Sequence, residues 1–203
     1  MTRTEWPGRI TPEDRWLTEW RDAHRTYRPG DEQRTPPNIR WKEDHHRHRI
    51  GYDSTGDLLR AARELLFRYE FYPPDVMVHA ADYHRQQRLM RPGDRIVQRI
   101  YPIPALRFLS VLTMTEVSAV EASPTHARFV YVTTTAHREI GWWAAGVEWD
   151  PATGELVATI DAVSRTGPGV PFFLKPYTRW LQLRAHRRGL DHFTALVLAR
   201  RPA

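Results

Sequence analysis

The 203-residue sequence contains no cysteine. It therefore cannot form a disulfide bond, a thiolate-bound zinc or iron–sulfur site, or a cysteine nucleophile. It also lacks any run of about 18 apolar residues, the length that a membrane-spanning helix needs. The opening residues "MTRTEWPGRITPED" have no apolar core of the kind found in secretory signals. We therefore expect a cytoplasmic protein without a membrane span.

Lysine is nearly absent, since Lys42 and Lys175 are the only lysines. The arginine excess, together with many alanines and prolines, is typical of GC-rich coding such as that of actinobacteria. The formal net charge is +6, but acids alternate with bases in "RWKEDHHRHR" and "RAARELLFRYE". No long basic stripe results, which argues against nucleic acid as a partner.

Motifs for common cofactors are missing as well. The sequence has no Walker loop, no G-x-G-x-x-G after a strand, no G-x-S-x-G and no H-E-x-x-H. It thus predicts no cofactor. The histidines of "EDHHRHR" at 43–49 stand among arginines that repel a cation and lack spaced acidic ligands. We interpret this stretch as a solvated basic segment, and we predict no metal site.

Aromatic residues are abundant, with 8 Trp, 8 Tyr and 7 Phe, and they supply a packed core. Residues 1–48 are predicted to form an N-terminal helical arm and linker. Thr11 is expected to cap a short helix that places Trp16 and Trp20 on one apolar face. Such a face needs burial, so the arm should dock on the main domain or on a second subunit, which leaves a homodimer open.

Residues 49–203 are predicted to form one ligand-binding domain. "STGDLLRAARELLFRYEF" has helical spacing, and five segments between residues 94 and 165 are rich in β-branched and aromatic residues. A long helix over "VPFFLKPYTRWLQLRAHRRGLDHFTALVLA" closes the chain. This order predicts an α+β fold in which a curved antiparallel sheet grips the C-terminal helix and leaves a cavity between them.

The segment "YVTTTAHREIGWW" carries the first candidates for chemistry. His137 and Glu139 lie two residues apart, so an extended chain puts both on one side near a hairpin tip, where a carboxylate orients an imidazole for acid/base catalysis. Tyr131 offers a hydroxyl that polarises a carbonyl. Trp142 and Trp143 would form part of the cavity wall. In the alternative interpretation, His137 caps a turn and Glu139 is solvated.

The next segments supply further candidates. Alternation in "WWAAGVEWD" puts Trp143 on the core face and Glu148 on the other, where Glu148 either lines a cavity or faces solvent. Asp161 and Arg165 share one strand face and are either a buried functional pair or surface residues. The candidate catalytic residues are thus His137, Glu139, Tyr131, Glu148, Asp161 and Arg165. The candidate ligand-binding residues are Trp142, Trp143, Trp180, Tyr177 and Phe173.

These segments resemble a known family. "DLLRAARELLFRYEFYPPDV", "YVTTTAHREIG", "DAVSRTGP" and "LKPYTRWLQLRAHRR" are similar to the bacterial and plant family of the domain of unknown function number nineteen-ninety, over about residues 50–195. The positions that match its recurring elements are His137, Glu139, Gly141, Ser164, Arg165 and Gln182. The positions that depart from it are Ala136, Arg138 and Trp142, where the family has glycine, proline and a second glutamate.

More remotely, the order of elements is similar to the helix-grip superfamily of lipid-transfer domains, pollen allergens and aromatic polyketide cyclases. That resemblance implies a cavity for a hydrophobic ligand. We therefore predict a cofactor-free cyclase, isomerase or hydrolase that acts by acid/base chemistry on a hydrophobic small molecule, in natural-product biosynthesis. Two alternatives stay open, a non-catalytic binder of such a molecule and a scaffold protein that uses the N-terminal arm.

Overall fold

The computed structural model describes residues 11–103, 106, 108–167 and 175–200, without the side chains of 175–178. The elements, in chain order, are α1 (Asp14–Glu19), α2 (Asp31–Arg34), β1 (Lys42–Tyr52), α3 (Asp57–Phe67), β2 (Met77–Ala81), α4 (Asp82–Arg85), β3 (Arg95–Ile100), β4 (Val111–Ala122), β5 (His126–Thr133), β6 (Glu139–Trp149), β7 (Glu155–Thr166) and α5 (Lys175–Ala199).

The seven strands form one antiparallel sheet in the order β1-β7-β6-β5-β4-β3-β2. Strands β2 to β7 follow one another as a meander, while β1 returns to the far edge beside β7. The inner face of the curved sheet packs against α3 and α5, and its largest fully buried side chains include Phe129, Leu156 and Ile160. The predicted α+β fold, a sheet gripping the C-terminal helix, is confirmed.

Helix α3 forms where the sequence predicted it. The Asp53 carboxylate accepts hydrogen bonds from the backbone N–H groups of Gly56, at 2.9 Å, and Leu59, at 3.0 Å, and so satisfies donors that a helix start leaves unpaired. Leu58 and Leu65 are fully or almost fully buried. Apolar residues at helical spacing therefore fix both the helix and the face that it buries.

Residues 43–49 are solvated on one side only, as positions 43, 45, 47 and 49 are exposed while Asp44 is buried. They lie in β1, which pairs with β7 from Lys42 opposite Ser164 to Tyr52 opposite Glu155. The predicted boundary between residues 48 and 49 accordingly falls inside a strand. An edge strand tolerates charged side chains that a central strand would not, so β1 carries little apolar signal apart from Ile50.

The N-terminal helix α1 packs on the outer face of the sheet. Leu17 is its buried residue, and the partly buried Trp16 and Trp20 lie beside it with ring centroids 5.0 Å apart. Thr11 does not cap the helix as predicted; its N–H instead donates to the Asp14 carboxylate at 2.6 Å. Docking through this apolar face agrees with the sequence, and a role of the arm in a homodimer stays a prediction.

The closing helix α5 is 25 residues long and has Pro176 in its first turn, where proline is tolerated. Its Leu190, Phe193 and Val197 are buried against the sheet and α3. Phe193 stacks on Phe71 at 5.1 Å between ring centroids. In the described part of the chain, every helix is too short or too polar to cross a membrane.

Candidate functional site

A cavity of about 370 Å³ lies between the inner face of the sheet and the N-terminal half of α5. The lining comes from all seven strands, from Tyr72 and Val76, from residues 101–102, from the turn at 137–138 and from six positions of α5. Its volume falls in the range of small-molecule sites, roughly 300–1,000 Å³. The sequence predicted a cavity in this place.

Aromatic rings form the floor of the cavity. Tyr131 of β5 and Trp143 of β6 stack with centroids 5.1 Å apart and planes 20° apart. Tyr72, from the segment after α3, lies 6.2 Å from the Trp143 ring. These flat surfaces are suited to a ligand that bears a ring, because offset and stacked aromatic contacts are favourable.

The Tyr131 hydroxyl belongs to a buried polar chain. Gln98 Nε2 donates a hydrogen bond to the Tyr69 hydroxyl at 2.7 Å, and both side chains also bond the Tyr131 hydroxyl. Burial raises the pKa of Tyr131 to about 12. Tyr69 has φ 59°, a left-handed conformation that is uncommon outside glycine. The phenol of Tyr131 is therefore neutral at physiological pH, and its oxygen already has partners.

His137 lies in the turn between β5 and β6 and lines the cavity. Its Nδ1 is 3.0 Å from the backbone nitrogen of Glu139 and 3.1 Å from the Glu139 carbonyl oxygen, so the tautomer decides whether it accepts or donates. Burial lowers the pKa of His137 to about 4, which keeps the ring neutral near pH 7. The imidazole thus contacts the Glu139 main chain rather than its carboxylate, and it both caps the turn and faces the cavity.

Glu139 begins β6 and lines the cavity. Its Oε2 accepts a hydrogen bond from Gln182 Nε2 of α5 at 2.5 Å. Burial raises the pKa of Glu139, although Gln182 and the nearby cations Lys42 and Arg179 act in the opposite direction. A carboxyl group in the cavity wall is thus held by a neutral amide, an arrangement that favours proton exchange more than a direct ion pair would.

Gly141 explains how the chain enters β6 beside this site. Its φ is 156°, and a Cβ at this position would lie 2.0 Å from the Val163 carbonyl oxygen. The Thr133 hydroxyl accepts from the Gly141 N–H at 3.0 Å and lies 3.2 Å from its carbonyl oxygen. A residue without a side chain is therefore required here.

A polar seam joins β1 to α5 beside the cavity, and the sequence analysis did not find it. The Arg179 guanidinium binds both carboxylate oxygens of Asp44. The His46 and His186 rings meet edge to face, with centroids 5.3 Å apart. Asp44 and His186 line the cavity, and burial lowers the pKa of His186 to about 4. The only signal in the sequence was the alternation of histidine and arginine at 46–49 in "EDHHRHR", a pattern that fits an edge strand and a solvated segment equally well.

The prediction that Glu148 lines the cavity is wrong. Glu148 lies on the outer face of β6 with its side chain 51 % exposed, and its Oε2 accepts a hydrogen bond from Arg47 at 2.6 Å. The core face and the cavity face of β6 are the same face, so alternation sends Glu148 away from both.

Asp161 and Arg165 also lie on the outer face of the sheet. The Asp161 carboxylate is 2.9 Å from His45 Nδ1 and 3.6 Å from the Arg128 guanidinium. The Arg165 guanidinium lies over the Trp41 ring, 5.3 Å from its centroid. These contacts correspond to the surface alternative, so neither residue stays a candidate for cavity chemistry.

The predicted ligand-binding aromatics take different positions. Trp143 is 5 % exposed in the cavity floor, and Trp142 is also among the lining residues, although its partners across the sheet belong to the outer face. Trp180 is 55 % exposed and outside the lining that the described residues form. Phe173 and the side chain of Tyr177 lie outside the described residues.

The sequence profile of the family described as "Domain of unknown function (DUF1990)" matches residues 25–192. The chain belongs to this family. The match starts well before residue 50, so it takes in β1 and residues 25–41 that precede it. Among curated proteins, none matches the DUF1990 chain.

Solved structures share the fold of the DUF1990 chain. The hypothetical protein jhp0584 from Helicobacter pylori aligns at 15 % identity and TM-score 0.55, covering 88 % of this chain and 98 % of its own. Norcoclaurine synthase from Thalictrum flavum, in complex with dopamine and hydroxybenzaldehyde, aligns at 11 % and 0.53, covering 88 % and 96 %. The ZhuI aromatase/cyclase from Streptomyces sp. R1128 aligns at 12 % and 0.50, covering 81 % and 98 %. At these identities the likeness concerns the fold, which is helix-grip.

Among the described residues, no three histidine, aspartate or glutamate side chains are grouped as a metal ion would need. The sequence-predicted residues that the structure brings together at the cavity are Tyr131, His137, Glu139 and Trp143, and Trp142 borders it from an outer-face position of β6. Sequence reasoning missed the contribution of Gln98, Asp44, Arg179 and His186, and it gave Gln182 only as a match to the family.

Proposed function

We propose that the cavity binds a hydrophobic, ring-bearing small molecule and that Glu139 performs acid/base chemistry on it, with His137 as a neutral hydrogen-bonding partner. The reaction class is a cofactor-free cyclisation, isomerisation or hydrolysis. One observation carries the proposal: a carboxyl group with a raised pKa lies in the lining of an aromatic-floored cavity, bonded to a neutral amide. General acids and bases need a pKa close to the working pH, and burial moves a carboxyl group in that direction.

The parts of the cavity have distinct roles under this proposal. The stacked Tyr131 and Trp143 hold a ring of the substrate, and Gln182 fixes the Glu139 carboxyl group against α5. Glu139 takes a proton from the bound molecule or gives one to it. His137, whose pKa of about 4 keeps it neutral, donates to or accepts from the substrate without adding charge. A natural-product substrate is consistent with the presence of a norcoclaurine synthase and an aromatase/cyclase among the proteins that share the fold.

A second function, non-catalytic binding, is favoured by a different observation. The Tyr131 hydroxyl is bonded by Gln98 and Tyr69, and His137 Nδ1 is bonded to the backbone of Glu139. Polar groups whose hydrogen bonds are already made within the protein are less able to bond a substrate than groups with free donors or acceptors. Under this alternative the cavity stores or carries its ligand unchanged.

The two functions are separated by measuring conversion as well as binding. Ring-bearing hydrophobic compounds are screened by thermal shift, because a ligand that binds only the folded state stabilises it by roughly 2.7 kcal/mol at a hundredfold excess over Kd. Each compound that binds is incubated with the protein and its products are followed by mass spectrometry. Glu139→Gln and His137→Ala should each lower turnover by about 10²- to 10⁴-fold.

Glu148→Gln is the matched control, since Glu148 lies on the same strand but on the outer face. It should leave turnover unchanged. Equal turnover in Glu139→Gln and the wild type would disprove the catalytic role of Glu139. Binding without any conversion would replace the enzyme proposal by the binder.

A further inference from the structure

Two arginines in the cavity lining have no carboxylate partner among the described residues. Arg138 belongs to the turn before β6, and Arg184 belongs to α5. Two other arginines of α5 are paired: Arg179 binds Asp44, and Arg188 donates to Asp75 at 2.8 Å. The positive charges of Arg138, in the turn before β6, and of Arg184, on α5, therefore have no negative partner among the described residues at the cavity.

Neither arginine is buried: Arg138 is exposed, and Arg184 is partly exposed. The Arg138 side chain is exposed, while its carbonyl is held by the Gly167 N–H at 2.9 Å, so the backbone position is fixed. The Arg184 guanidinium lies 5.6 Å from the centroid of the exposed Trp180 ring. A cation stacked on an aromatic face can still bind an anion at its edge.

The two carboxylates in the cavity lining, Asp44 and Glu139, are already engaged. Asp44 is bound by Arg179, and Glu139 accepts from Gln182. Residues 168–174, which follow Gly167, read "PGVPFFL" and contain no acid. Within the described cavity lining, neither Arg138 nor Arg184 therefore has a free carboxylate to bind, and a ligand can supply the negative charge.

We infer that the ligand is an amphipathic anion, with an apolar ring-bearing body inside the cavity and a carboxylate or phosphate group that Arg138 and Arg184 bind at its entrance. The inference rests on the proposed function, whose substrate it narrows from a hydrophobic molecule to one with an anionic end. Arginine suits this role because its planar donors match the oxygens of carboxylate and phosphate.

Two fluorescent probes that differ in one anionic group test the inference. The probes are 8-anilinonaphthalene-1-sulfonate and the uncharged N-phenyl-1-naphthylamine, each titrated into the full chain at low salt. Two partly exposed charge contacts should favour the sulfonate probe by about 3- to 10-fold in Kd. Sodium chloride at about 0.5 M should reduce this preference, because exposed charges are screened at that ionic strength.

The double variant Arg138→Gln/Arg184→Gln should bring the two Kd values together without changing that of the neutral probe, which also reports that the cavity remains folded. Each single variant should remove part of the preference. Arg187→Gln is the matched control, because Arg187 is an exposed residue of α5 outside the cavity lining, and it should retain the full preference.

Competition identifies the anionic group. In the wild type, dodecanoate and dodecyl phosphate should each displace the neutral probe at a lower concentration than dodecanol does. Whichever of the two anions has the lower Kd identifies the preferred anionic group, carboxylate or phosphate. A sulfonate preference that survives in the double variant would overturn the inference, as would equal displacement by dodecanol. Failure of both probes to bind would instead count against the proposed function itself.

Discussion

The two faces of the same sheet treat charged residues in opposite ways. On the inner face, Glu139 is bonded to the neutral Gln182, and burial raises its pKa. On the outer face, Glu148 of the same strand is half-exposed and paired with Arg47. The contrast shows that a carboxylate acquires unusual chemistry from what covers its side of the sheet. A position close to a tryptophan in the sequence does not by itself raise the pKa of a carboxyl group.

The comparison extends to the histidines. His45 on the outer face is exposed, and its hydrogen bond with Asp161 raises its pKa. His186, between α5 and the inner face, has its pKa lowered to about 4 by burial. The same residue type is therefore stabilised in its charged form on one face and in its neutral form on the other.

The largest effect on stability should come from replacing the neighbouring Trp143 and Trp142, one at a time, by alanine. Trp143→Ala removes a 5 % exposed ring that contacts Tyr131, Phe71 and Phe129, so it should lower the free energy of unfolding by about 3–5 kcal/mol. Trp142→Ala, at a partly exposed position, should cost roughly 1 kcal/mol. Urea unfolding measures both, and equal losses would mean that the two faces are equally packed.

A smaller effect is expected from the two arginine–carboxylate pairs. Arg179→Ala leaves the 7 % exposed Asp44 without its partner and should lower the free energy of unfolding by about 2–3 kcal/mol. Arg47→Ala breaks a pair whose side chains are 62 % and 51 % exposed, and should cost less than about 1 kcal/mol. If the Arg47 variant proved the less stable of the two, the inner seam would not be the stronger contact.

The smallest effect concerns pH. His186 has a folded pKa of about 4, below its unfolded value, so the unfolded chain binds more protons between these values, and stability is lost as pH falls from 7 towards 4. At pH 5 this loss should be roughly 1–2 kcal/mol for one such histidine. Urea unfolding of His186→Gln at pH 7, 6 and 5 should therefore show a shallower decline than the wild type.

His45 supplies the control with the opposite sign. Its folded pKa is raised, so its contribution is present at low pH and is lost as pH rises through that pKa. His45→Gln should thus make the decline on acidification slightly steeper. A shallower decline in His45→Gln than in His186→Gln would reverse the comparison between the faces.

Part of the site could be predicted because its signals are local. In "YVTTTAHREIGWW", β-branched residues, a turn and Gly141 lie within a few positions, and they gave the hairpin that carries His137 and Glu139. By contrast, the alternation of side chains along β6 put Glu148 and Trp143 on opposite faces but did not show which face borders the cavity. The answer depends on where α3 and α5 pack, which no pattern within β6 records.

The sequence by itself determined helix α3, the central strands, the closing helix and the turn with His137, because each depends on residues a few positions apart and on their periodicity. Only the tertiary structure decided that β1 joins the sheet, that Gln182 binds Glu139 across 43 positions, and that Arg179 binds Asp44 across 135. Such pairs form only after the chain has closed over these distances, and they depend on which faces meet. Local periodicity contains no information about that.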